Sequence, residues 1–265
     1  MIDCQQTEEM LGAIADSGSM VDLNHHLVKI CGNFFVDKFA ISRFFGSGSQ
    51  SENVEFYDTY PREWMDHYVK NQYYEHDKVV ELKNTRLPFS WKIDSLLGEL
   101  TPIQKRLYQE ASDFGICKGM VIPIIPHNNE QRLLAVLDVV HPHPDMVHTL
   151  SVACQLYWGV KRKLDAKQTL NLFTTREREV LFLKSQGMPI KVVADKLMIS
   201  ESTVIFHVKN ARHKLKATSI DHALYLFGRA VEQSEFAGSR KPQPHSRSIS
   251  DDRKTEFKLK QLLAA

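Results

Sequence analysis

The chain has 265 residues, of which 43% are hydrophobic and 25% are charged, and its formal net charge is +2; this is the size and composition of a globular protein of about two domains. The N-terminus lacks the basic start and apolar run of a secretory signal, and no apolar stretch approaches the roughly 18 residues of a membrane span. The four cysteines form no C-x-x-C pair, so we expect a cytoplasmic protein without a membrane partner, a disulfide framework or a zinc site.

The first part of the chain alternates between helical and strand patterns. Helical periodicity covers about residues 6–33, 61–72, 101–114 and 145–164. Aromatic and β-branched residues predict strands at 38–45 and 54–59, and two apolar runs predict adjacent strands at 120–125 and 133–140 around the polar turn 127–130. Because helices flank these strands, we predict an α-β-α sandwich, a shape that encloses ligands well.

Aromatic side chains cluster in the middle of this predicted sandwich. Tyr60, Trp64 and Tyr68 are spaced four residues apart and share one face of a helix, and Asp77 and Trp91 follow them. Aromatic walls with an indole N–H, a phenol and a carboxylate suit a small ligand that has an apolar body and a polar head. The residues alone leave two interpretations open, a ligand pocket and ordinary core packing.

Short helical patterns with clear end signals follow on the C-terminal side. Val180 and Leu181 lie on one helical face, and Gly187 ends that helix. Pro189 suits the first turn of the next helix, and Ser200 lies where the N-cap of a further helix is expected. This pattern predicts an all-α, four-helix helix-turn-helix domain that places one helix in the major groove of DNA.

The helix after Ser200 has an apolar side and a largely basic side. Val204, Val208 and Ala211 fall on its inner face. The residues predicted to contact DNA are Ser202, Thr203, Ile205, His207, Lys209, Arg212 and Lys214. A helical core with a merely solvated basic face is the alternative, but spacing, caps and charge together favour DNA binding.

Charge is unevenly distributed along the chain. Residues 1–169 hold 17 Lys and Arg against 22 Asp and Glu, whereas residues 170–232 hold 10 against 6 and residues 233–265 hold 7 against 4. Lys and Arg contacts to phosphates supply most non-specific affinity for DNA. The basic C-terminal part therefore supports the prediction of a DNA partner.

These motifs together resemble the LuxR-type quorum-sensing transcription regulators, over roughly residues 10–230. That family pairs an N-terminal acyl-homoserine-lactone-binding domain with a C-terminal helix-turn-helix. The positions that match its ligand-binding part are Tyr60, Trp64, Tyr68, Asp77, Trp91 and Gly119. The positions that match its DNA-binding part are Glu177, Leu181, Gly187, His207 and the Ile-Ser-x-x-Thr-Val run from Ile199 to Val204.

The resemblance implies a role for each aromatic and acidic residue. The Trp64 N–H would donate to the ring carbonyl of a homoserine lactone, and Tyr68 would donate to the acyl carbonyl. Asp77 would accept from the ligand amide in a charge-assisted bond. Tyr60 and Trp91 would pack the ring and the chain. The implied small molecule is thus an N-acyl-homoserine lactone of unknown chain, and no cofactor is implied.

Three positions depart from the family pattern. Lys78 follows Asp77 where the family usually has Pro. Asp138 lies near a strand position that often carries Ser or Thr, and a carboxylate there would prefer a ligand donor such as a hydroxyl. Ile205 replaces a basic residue, so base reading would depend on Lys209, with Ile205 against a thymine methyl group.

The patterns and the resemblance give one domain plan. We predict a ligand-binding α-β-α domain at 1–167, a linker at 168–173 and a helix-turn-helix domain at 174–232, together an α+β fold. The basic extension at 233–265 reads as a flexible linker, and Phe257, Leu259, Leu262 and Leu263 allow a short terminal helix within it.

The predicted function is a ligand-responsive regulator that binds a DNA operator as a homodimer and contacts RNA polymerase. Apolar faces at 145–164 and 219–231, the latter with Leu224, Leu226 and Phe227, are the predicted dimer surfaces. The chain carries no nucleophile elbow or phosphate loop, and His141 and His143 lack a third metal ligand nearby, so we expect neither an enzyme nor a metal site. The alternatives are a regulator that senses another molecule, a module that titrates a partner regulator and, more remotely, an enzyme that degrades signals.

Overall fold

The computed structural model describes residues 4–45, 53–81, 86–96, 100–124, 132–139 and 142–235. Two compact units divide the chain after Val160. The polar turn 127–130, His141 and almost all of the 233–265 extension, with its predicted terminal helix, lie outside the described residues. Along the described part of the chain, no helix is both long and apolar enough to cross a membrane.

The first unit begins with two helices where the sequence pattern predicts one continuous stretch. These are α1 (Cys4–Ala15) and α2 (Met20–Asn33). The break falls at the Ser17–Ser19 segment, because Ser19 adopts an extended backbone and its side chain accepts from the Asp22 N–H as an N-cap. Ile14, Leu23, Leu27 and Ile30 are fully buried, so both helices contribute an apolar face to the core.

A five-stranded antiparallel sheet forms the centre of this unit. Its strands are β1 (Phe39–Phe45), β2 (Asn53–Asp58), β3 (Phe89–Lys92), β4 (Lys118–Ile124) and β5 (Arg132–Leu137), in the order β2-β1-β5-β4-β3. The predicted neighbours β4 and β5 do pair. Strand β3 is an addition to the predicted set, and its register places Trp91 opposite Gly119.

Helices cover both faces of the sheet, as the α-β-α prediction requires. On one face lie α2 and α7 (Pro144–Leu170); Tyr57 of β2 stacks on Tyr157 of α7 at 5.7 Å, and the Tyr157 hydroxyl donates to Asn24 of α2. The helical elements that share a core with the other face are α3 (Arg62–Lys70), a 3-10 turn (Tyr73–Glu75), α4 (Lys78–Glu81) and α6 (Pro102–Asp113). The short α5 (Ile93–Leu96) follows β3.

The second unit is helical, as predicted. It contains the end of α7 with α8 (Thr175–Ser185), α9 (Ile190–Leu197), α10 (Glu201–Lys214) and α11 (Ile220–Glu235) around one apolar core. The predicted end signals are present: Thr174 and Glu177 form a capping box, Gly187 has φ +82°, and Ser200 caps α10.

Two details differ from the sequence expectations for this unit. Helix α7 continues to Leu170 and so enters the range 168–173 that the sequence suggests as a linker; the domain limits themselves stay a prediction. Phe227 is fully buried and stacks edge-to-face on Phe173, so it belongs to the core and not to a dimer surface. Leu224 and Leu226 are partly buried, whereas Ile220 and Tyr225 of the same helix are exposed.

Candidate functional site

A cavity lies between the sheet and the helices α3, α4 and α6. Its volume is about 70 Å³, enough for several water molecules, so a larger ligand requires lining side chains to move. Apolar groups dominate the lining, which consists of Ala40, Ser42, Phe56, Tyr60, Trp64, Met65, Tyr68, Asp77, Val79, Val80, Trp91, Leu107, Tyr108, Ala111 and Ile116. An apolar cavity with a few polar groups is the usual form of a small-molecule site.

Five of the six predicted ligand residues come together in this cavity: Tyr60, Trp64, Tyr68, Asp77 and Trp91. The helical spacing of the first three places them on one side of α3 and its N-terminal approach, and β3 brings Trp91 to the same face of the sheet. The Trp64 ring lies 5.6 Å from the Tyr68 ring, so the two form a continuous aromatic wall.

Asp138, the sixth predicted residue, is not among the residues that line the cavity. It follows β5 and pairs with Lys38, whose Nζ lies 3.8 Å from its Oδ2, and its backbone N–H donates to the Lys38 carbonyl. Burial raises the pKa of the Asp138 carboxyl, against the lowering effect of Lys38. This geometry does not support the predicted contact between Asp138 and a ligand.

The Asp77 carboxylate is the polar centre of the cavity. Its Oδ1 accepts from the Tyr108 hydroxyl at 2.8 Å and from the Val79 N–H at 2.9 Å. Its Oδ2 accepts from the Tyr68 hydroxyl at 2.9 Å. Burial raises the pKa of Asp77, and the bonds from Tyr108, Tyr68 and the backbone oppose that rise. Three groups of the protein, the Tyr108 and Tyr68 hydroxyls and the Val79 N–H, thus hold the carboxylate in position. Two of these bonds go to Oδ1 and one goes to Oδ2.

The phenols around Asp77 are neutral donors. Burial is the main cause that raises the pKa of Tyr68, Tyr108 and Tyr60 above the ordinary value, and the negative charge of Asp77 adds to it. Tyr108, from α6, is a polar residue that the sequence reasoning missed. The sequence shows Tyr108 only as an aromatic residue with a hydroxyl group within the predicted helix 101–114. At such a position, an aromatic side chain is indistinguishable from one that packs in the core.

Trp91 has a buried polar atom with no partner. The residue is 7% exposed, and its Nε1 has no hydrogen-bond acceptor among the residues that the structure describes. Its ring centroid lies 6.5 Å from that of Tyr108. A buried donor of this kind is costly unless something supplies an acceptor.

The second candidate surface is the exposed side of α10. Ser202, Ile205 and Lys209 are exposed there. Thr203, His207 and Arg212 are partly buried, and the Ser200 hydroxyl contacts the hydroxyls of Ser202 and Thr203 in the first turn. Phe206, which the sequence reasoning did not select, is 59% exposed on the same helix. The helix therefore presents hydroxyl, apolar and cationic groups together.

Lys214, another predicted DNA contact, forms an ion pair inside the second unit. Its Nζ lies 2.6 Å from Oε2 of Glu177, a buried carboxylate in the capping box of α8, and 5.7 Å from the centre of the Phe173 ring. Burial acts to raise the pKa of Glu177, but its bonds from Lys214 and Thr174 outweigh burial and leave that pKa lowered. This geometry supports a structural role for Lys214 rather than a contact with phosphate.

The described residues contain no group of three or more His, Cys, Asp or Glu side chains that could hold a metal ion. The two candidate sites are therefore the cavity and the exposed side of α10. The cavity can hold a ligand through directed hydrogen bonds within apolar walls, and α10 can present a mixed surface to a groove.

Two family models match the chain. Residues 19–153 match the autoinducer binding domain, and residues 171–227 match the bacterial regulatory proteins of the luxR family. The quorum-sensing regulator RhlR of Pseudomonas aeruginosa is 30% identical over 177 residues, which cover 62% of this chain and 70% of RhlR. The transcriptional activator LuxR of Aliivibrio fischeri is 23% identical over 229 residues, which cover 82% of this chain and 90% of LuxR.

Solved structures agree with the fold. The crystal structure of Escherichia coli SdiA matches with a TM-score of 0.59 at 18% identity, over 85% of this chain and 97% of SdiA. A structure of SdiA in complex with octanoyl-rac-glycerol matches with a TM-score of 0.54 at 19% identity, over 91% of this chain and 100% of that one.

Proposed function

Because the chain belongs to the LuxR family and is a ligand-responsive transcription regulator of quorum sensing, we propose that its ligand is an N-acyl-homoserine lactone and that it binds a DNA operator as a homodimer. The observation that carries the ligand half is the Asp77 carboxylate inside an otherwise apolar cavity. A buried carboxylate calls for a donor, and an acyl amide supplies an N–H next to an apolar chain.

The bonds around Asp77 support a specific position for the ligand amide. Oδ1 already accepts from Tyr108 and from the Val79 N–H, which uses both of its lone pairs. Oδ2 accepts from Tyr68. We therefore expect the amide N–H to bond Oδ2, while the Tyr68 hydroxyl turns toward the acyl carbonyl oxygen.

The remaining predicted contacts fit the same pose. The Trp64 N–H would donate to the ring carbonyl oxygen of the lactone, and Tyr60 and Trp91 would pack against the ring and the chain. Apolar side chains such as Phe56, Met65 and Leu107 line the rest of the cavity and offer a surface to the acyl chain. Burial of each methylene group there contributes about 0.8 kcal/mol.

Mass spectrometry of the denatured protein tests the ligand directly. The full chain, expressed with a source of acyl-homoserine lactones, should release one of them on denaturation, and adding that lactone should raise the melting temperature. Monoacylglycerols form the second panel, since the matched SdiA structure holds octanoyl-rac-glycerol. Stabilisation by that panel alone would show a regulator that senses another molecule, and no stabilisation by either would favour a module that acts through a protein partner.

For the DNA half, we propose that α10 enters the major groove. Lys209 is exposed on it and would contact a base edge or phosphate, and Ile205 would contact a thymine methyl group. Ser202, Thr203, His207 and Arg212 complete the proposed contact set. Lys214 is left out because Glu177 already pairs with it.

A binding titration tests the role of Lys209. Fluorescence anisotropy with a palindromic operator should show that Lys209→Ala weakens specific binding about 5- to 150-fold, the effect of losing one base contact. Lys167→Ala is the matched control, because Lys167 is an exposed lysine of α7 outside the helix-turn-helix. An unchanged ratio of specific to non-specific binding would remove Lys209 from the recognition set.

We propose further that the chain forms a homodimer, contacts RNA polymerase and is located in the cytoplasm. The proposed domain limits are 1–167, 168–173, 174–232 and 233–265. Ile220 and Tyr225 are exposed on α11 and support a dimer surface there in place of Phe227. We further propose that the chain acts without catalysis. Sedimentation with operator DNA should give two chains for each palindrome.

A further inference from the structure

We propose that Phe206 recognises the 5-methyl group of a pyrimidine base in each operator half-site, so that this protein distinguishes methylated from unmethylated pyrimidines. The inference rests on the proposed entry of α10 into the major groove and adds a residue that the predicted contact set does not contain. It starts from an exposed aromatic ring. Phe206 is 59% exposed on a helix whose other apolar side chains, apart from Ile205, are buried.

The position of Phe206 on α10 directs its ring away from the core. Val204, Val208 and Ala211 are buried and form the inner line of the helix. The opposite line consists of exposed residues at spacings of four, three and four, namely Ser202, Phe206, Lys209 and His213. Phe206 is the sixth of the 14 residues of α10, in the N-terminal half that contacts base edges in a helix-turn-helix. A helix that enters the groove with this outer line first brings the phenyl ring to the base edges.

The neighbouring side chain supports one edge of the ring. The Phe206 and His207 rings meet edge-to-face, with 5.8 Å between centroids and 64° between planes. His207 is itself partly buried, so its imidazole is placed by the second unit. The phenyl ring therefore has one edge against the protein, and the rest of its surface is open to a partner.

The base edges in the major groove offer a phenyl ring a single kind of apolar partner. Each base pair presents hydrogen-bond donors and acceptors there, and the apolar group among them is the 5-methyl group of thymine. A phenyl ring over any other base edge would cover polar groups without supplying a hydrogen bond. 5-Methylcytosine carries the same methyl group on the same ring carbon. The chemistry that Phe206 recognises is thus a 5-methylpyrimidine.

Phe206 and Ile205 reach different bases. Successive residues of an α-helix point about 100° apart, so the two side chains leave α10 in different directions. Ile205 is 39% exposed and lies to one side of the outer line, whereas Phe206 lies on it. A substitution of either residue should therefore affect discrimination at its own base pair and leave the other unchanged.

Modified operators test the inference. The probe is the palindrome that the full chain, purified from cells supplied with acyl-homoserine lactones, enriches from a randomised DNA library. Uracil replaces thymine at one symmetric pair of positions at a time, which removes only the methyl groups, and fluorescence anisotropy measures affinity. At one such pair, the wild type should lose about fourfold for each half-site, or about 15-fold in total. When cytosine is placed at that pair, its 5-methylation should strengthen binding by a similar factor.

Three substitutions assign the effect to a side chain. Phe206→Ser should bind the thymine and uracil operators equally at that pair, and likewise the 5-methylcytosine and cytosine operators. Ile205→Ser should keep the discrimination there. Phe35→Ser is the control for the loss of an exposed phenyl ring, because Phe35 is 91% exposed in the first unit, and it should behave as the wild type. All three side chains are exposed, so the melting temperatures should not change.

A direct readout on the wild type covers the case in which Phe206→Ser does not fold. 5-Iodouracil places an iodine atom where thymine has its methyl group. Ultraviolet light then couples the uracil ring to an aromatic side chain in contact with it, with loss of hydrogen iodide. With 5-iodouracil at the sensitive pair, peptide mapping by mass spectrometry should locate the cross-link on Phe206.

Four results would overturn the inference while leaving the proposed operator binding intact. They are a palindrome in which no thymine pair is sensitive to uracil, as expected if Phe206 contacts RNA polymerase, and a sensitivity that survives at every pair in Phe206→Ser. The others are equal binding of cytosine and 5-methylcytosine, and a cross-link on another residue. Enrichment of no palindrome by the wild-type chain would instead overturn the proposed operator binding itself.

Discussion

The Tyr108 hydroxyl lies 2.8 Å from Oδ1 of Asp77, which joins α6 to the start of α4 across 31 residues of sequence. This bond, with that from the Val79 N–H, fixes one oxygen of the carboxylate. The other oxygen is held by Tyr68 and faces the proposed amide of the ligand. Tyr108 is thus a positioning residue for Asp77.

Removal of the Tyr108 hydroxyl should leave the Asp77 carboxylate less firmly held in position. Tyr108→Phe should weaken acyl lactone binding about 5- to 10-fold, the effect of one hydrogen bond of about 1 kcal/mol. An ester-linked analogue lacks the amide N–H, so its affinity should change little. Tyr73→Phe is the control, because it also removes a buried phenol, one that donates to Glu110 and not to Asp77. Equal losses for amide and ester would mean that Tyr108 only supports the fold.

The charge of Asp77 should make ligand binding depend on pH. The ionised carboxylate accepts from an amide N–H in a charge-assisted bond, whereas protonation removes the charge and turns one oxygen into a donor, which weakens binding of the amide. Because burial raises the pKa of Asp77, affinity should begin to fall at a higher pH than an exposed aspartate, with its pKa of about 4, would allow. Calorimetry from about pH 8 down to about pH 4 measures this loss.

Asp77→Asn provides the matched variant for that titration. It keeps the shape of the side chain and removes the charge, so lactone affinity should fall about 10- to 150-fold. The remaining affinity should not follow pH in this range. The stability effect has the opposite sign, because a raised pKa in the folded state makes ionised Asp77 unfavourable for folding, and that cost appears as pH rises through the raised pKa.

Substitution of Lys214 should lower stability, whereas substitution of Lys209 should weaken DNA binding without lowering stability. Lys214→Met leaves the buried Glu177 carboxylate without its cation, so the free energy of unfolding should fall by about 1–3 kcal/mol. Urea denaturation followed by circular dichroism measures this loss. Lys209→Ala should leave stability within about 0.5 kcal/mol of wild type, as is usual for exposed residues. A Lys214→Met protein with unchanged stability and weaker DNA binding would restore Lys214 to the contact set.

The ion pair between Lys214 and Glu177 predicts that the second unit loses stability at acidic pH. The folded-state pKa of Glu177 is lowered, so its contribution to stability is present above the unfolded pKa, about 4.3, and disappears as pH falls through the lower folded value. Lys214→Met should remove part of this acid sensitivity. Denaturation midpoints at neutral and acidic pH, compared between the two proteins, measure the difference.

Met198 should be replaceable by glycine with a gain in stability. It ends α9 with φ +51°, the left-handed region that costs a residue with a Cβ atom about 1 kcal/mol, and its side chain is 91% exposed. Met198→Gly should therefore raise the free energy of unfolding by up to about 1 kcal/mol. Met198→Ala keeps the Cβ and should give no such gain. A loss of stability in Met198→Gly would contradict the backbone argument.

The elements that could be predicted from the sequence are those with strong local signals. Two apolar runs around a polar turn identify β4 and β5, and end signals at Gly187 and Ser200 identify the helix-turn-helix. Strand β3 could not be found in this way, because it has four residues and depends on pairing with β4. Local patterns identify elements, but pairing between distant segments does not appear in them.

Some of the residues that line the cavity could be predicted from the sequence, and others could not. The spacing of Trp64 and Tyr68 identifies one face of α3, with Asp77 following in sequence, and the family resemblance then implies a role for each of them. Tyr108 was missed because its bond to Asp77 depends on how α6 meets α4, which no sequence period records. The pairing of Lys214 with Glu177 was also missed, since a lysine on a basic helix gives no sign of a buried carboxylate 37 residues away.

The bond from Tyr68 to Asp77 also affects what can determine ligand affinity. Tyr68 already donates to Oδ2, so an incoming amide exchanges one donor for another and gains little net free energy there. With the proposed acyl lactone, the head group would decide which molecules are accepted, while the length of the acyl chain would decide how tightly they bind, at about fourfold for each buried methylene. In a mixed population of signalling bacteria, such a receptor would discriminate by chemistry at one end of the signal and set its detection threshold with the other.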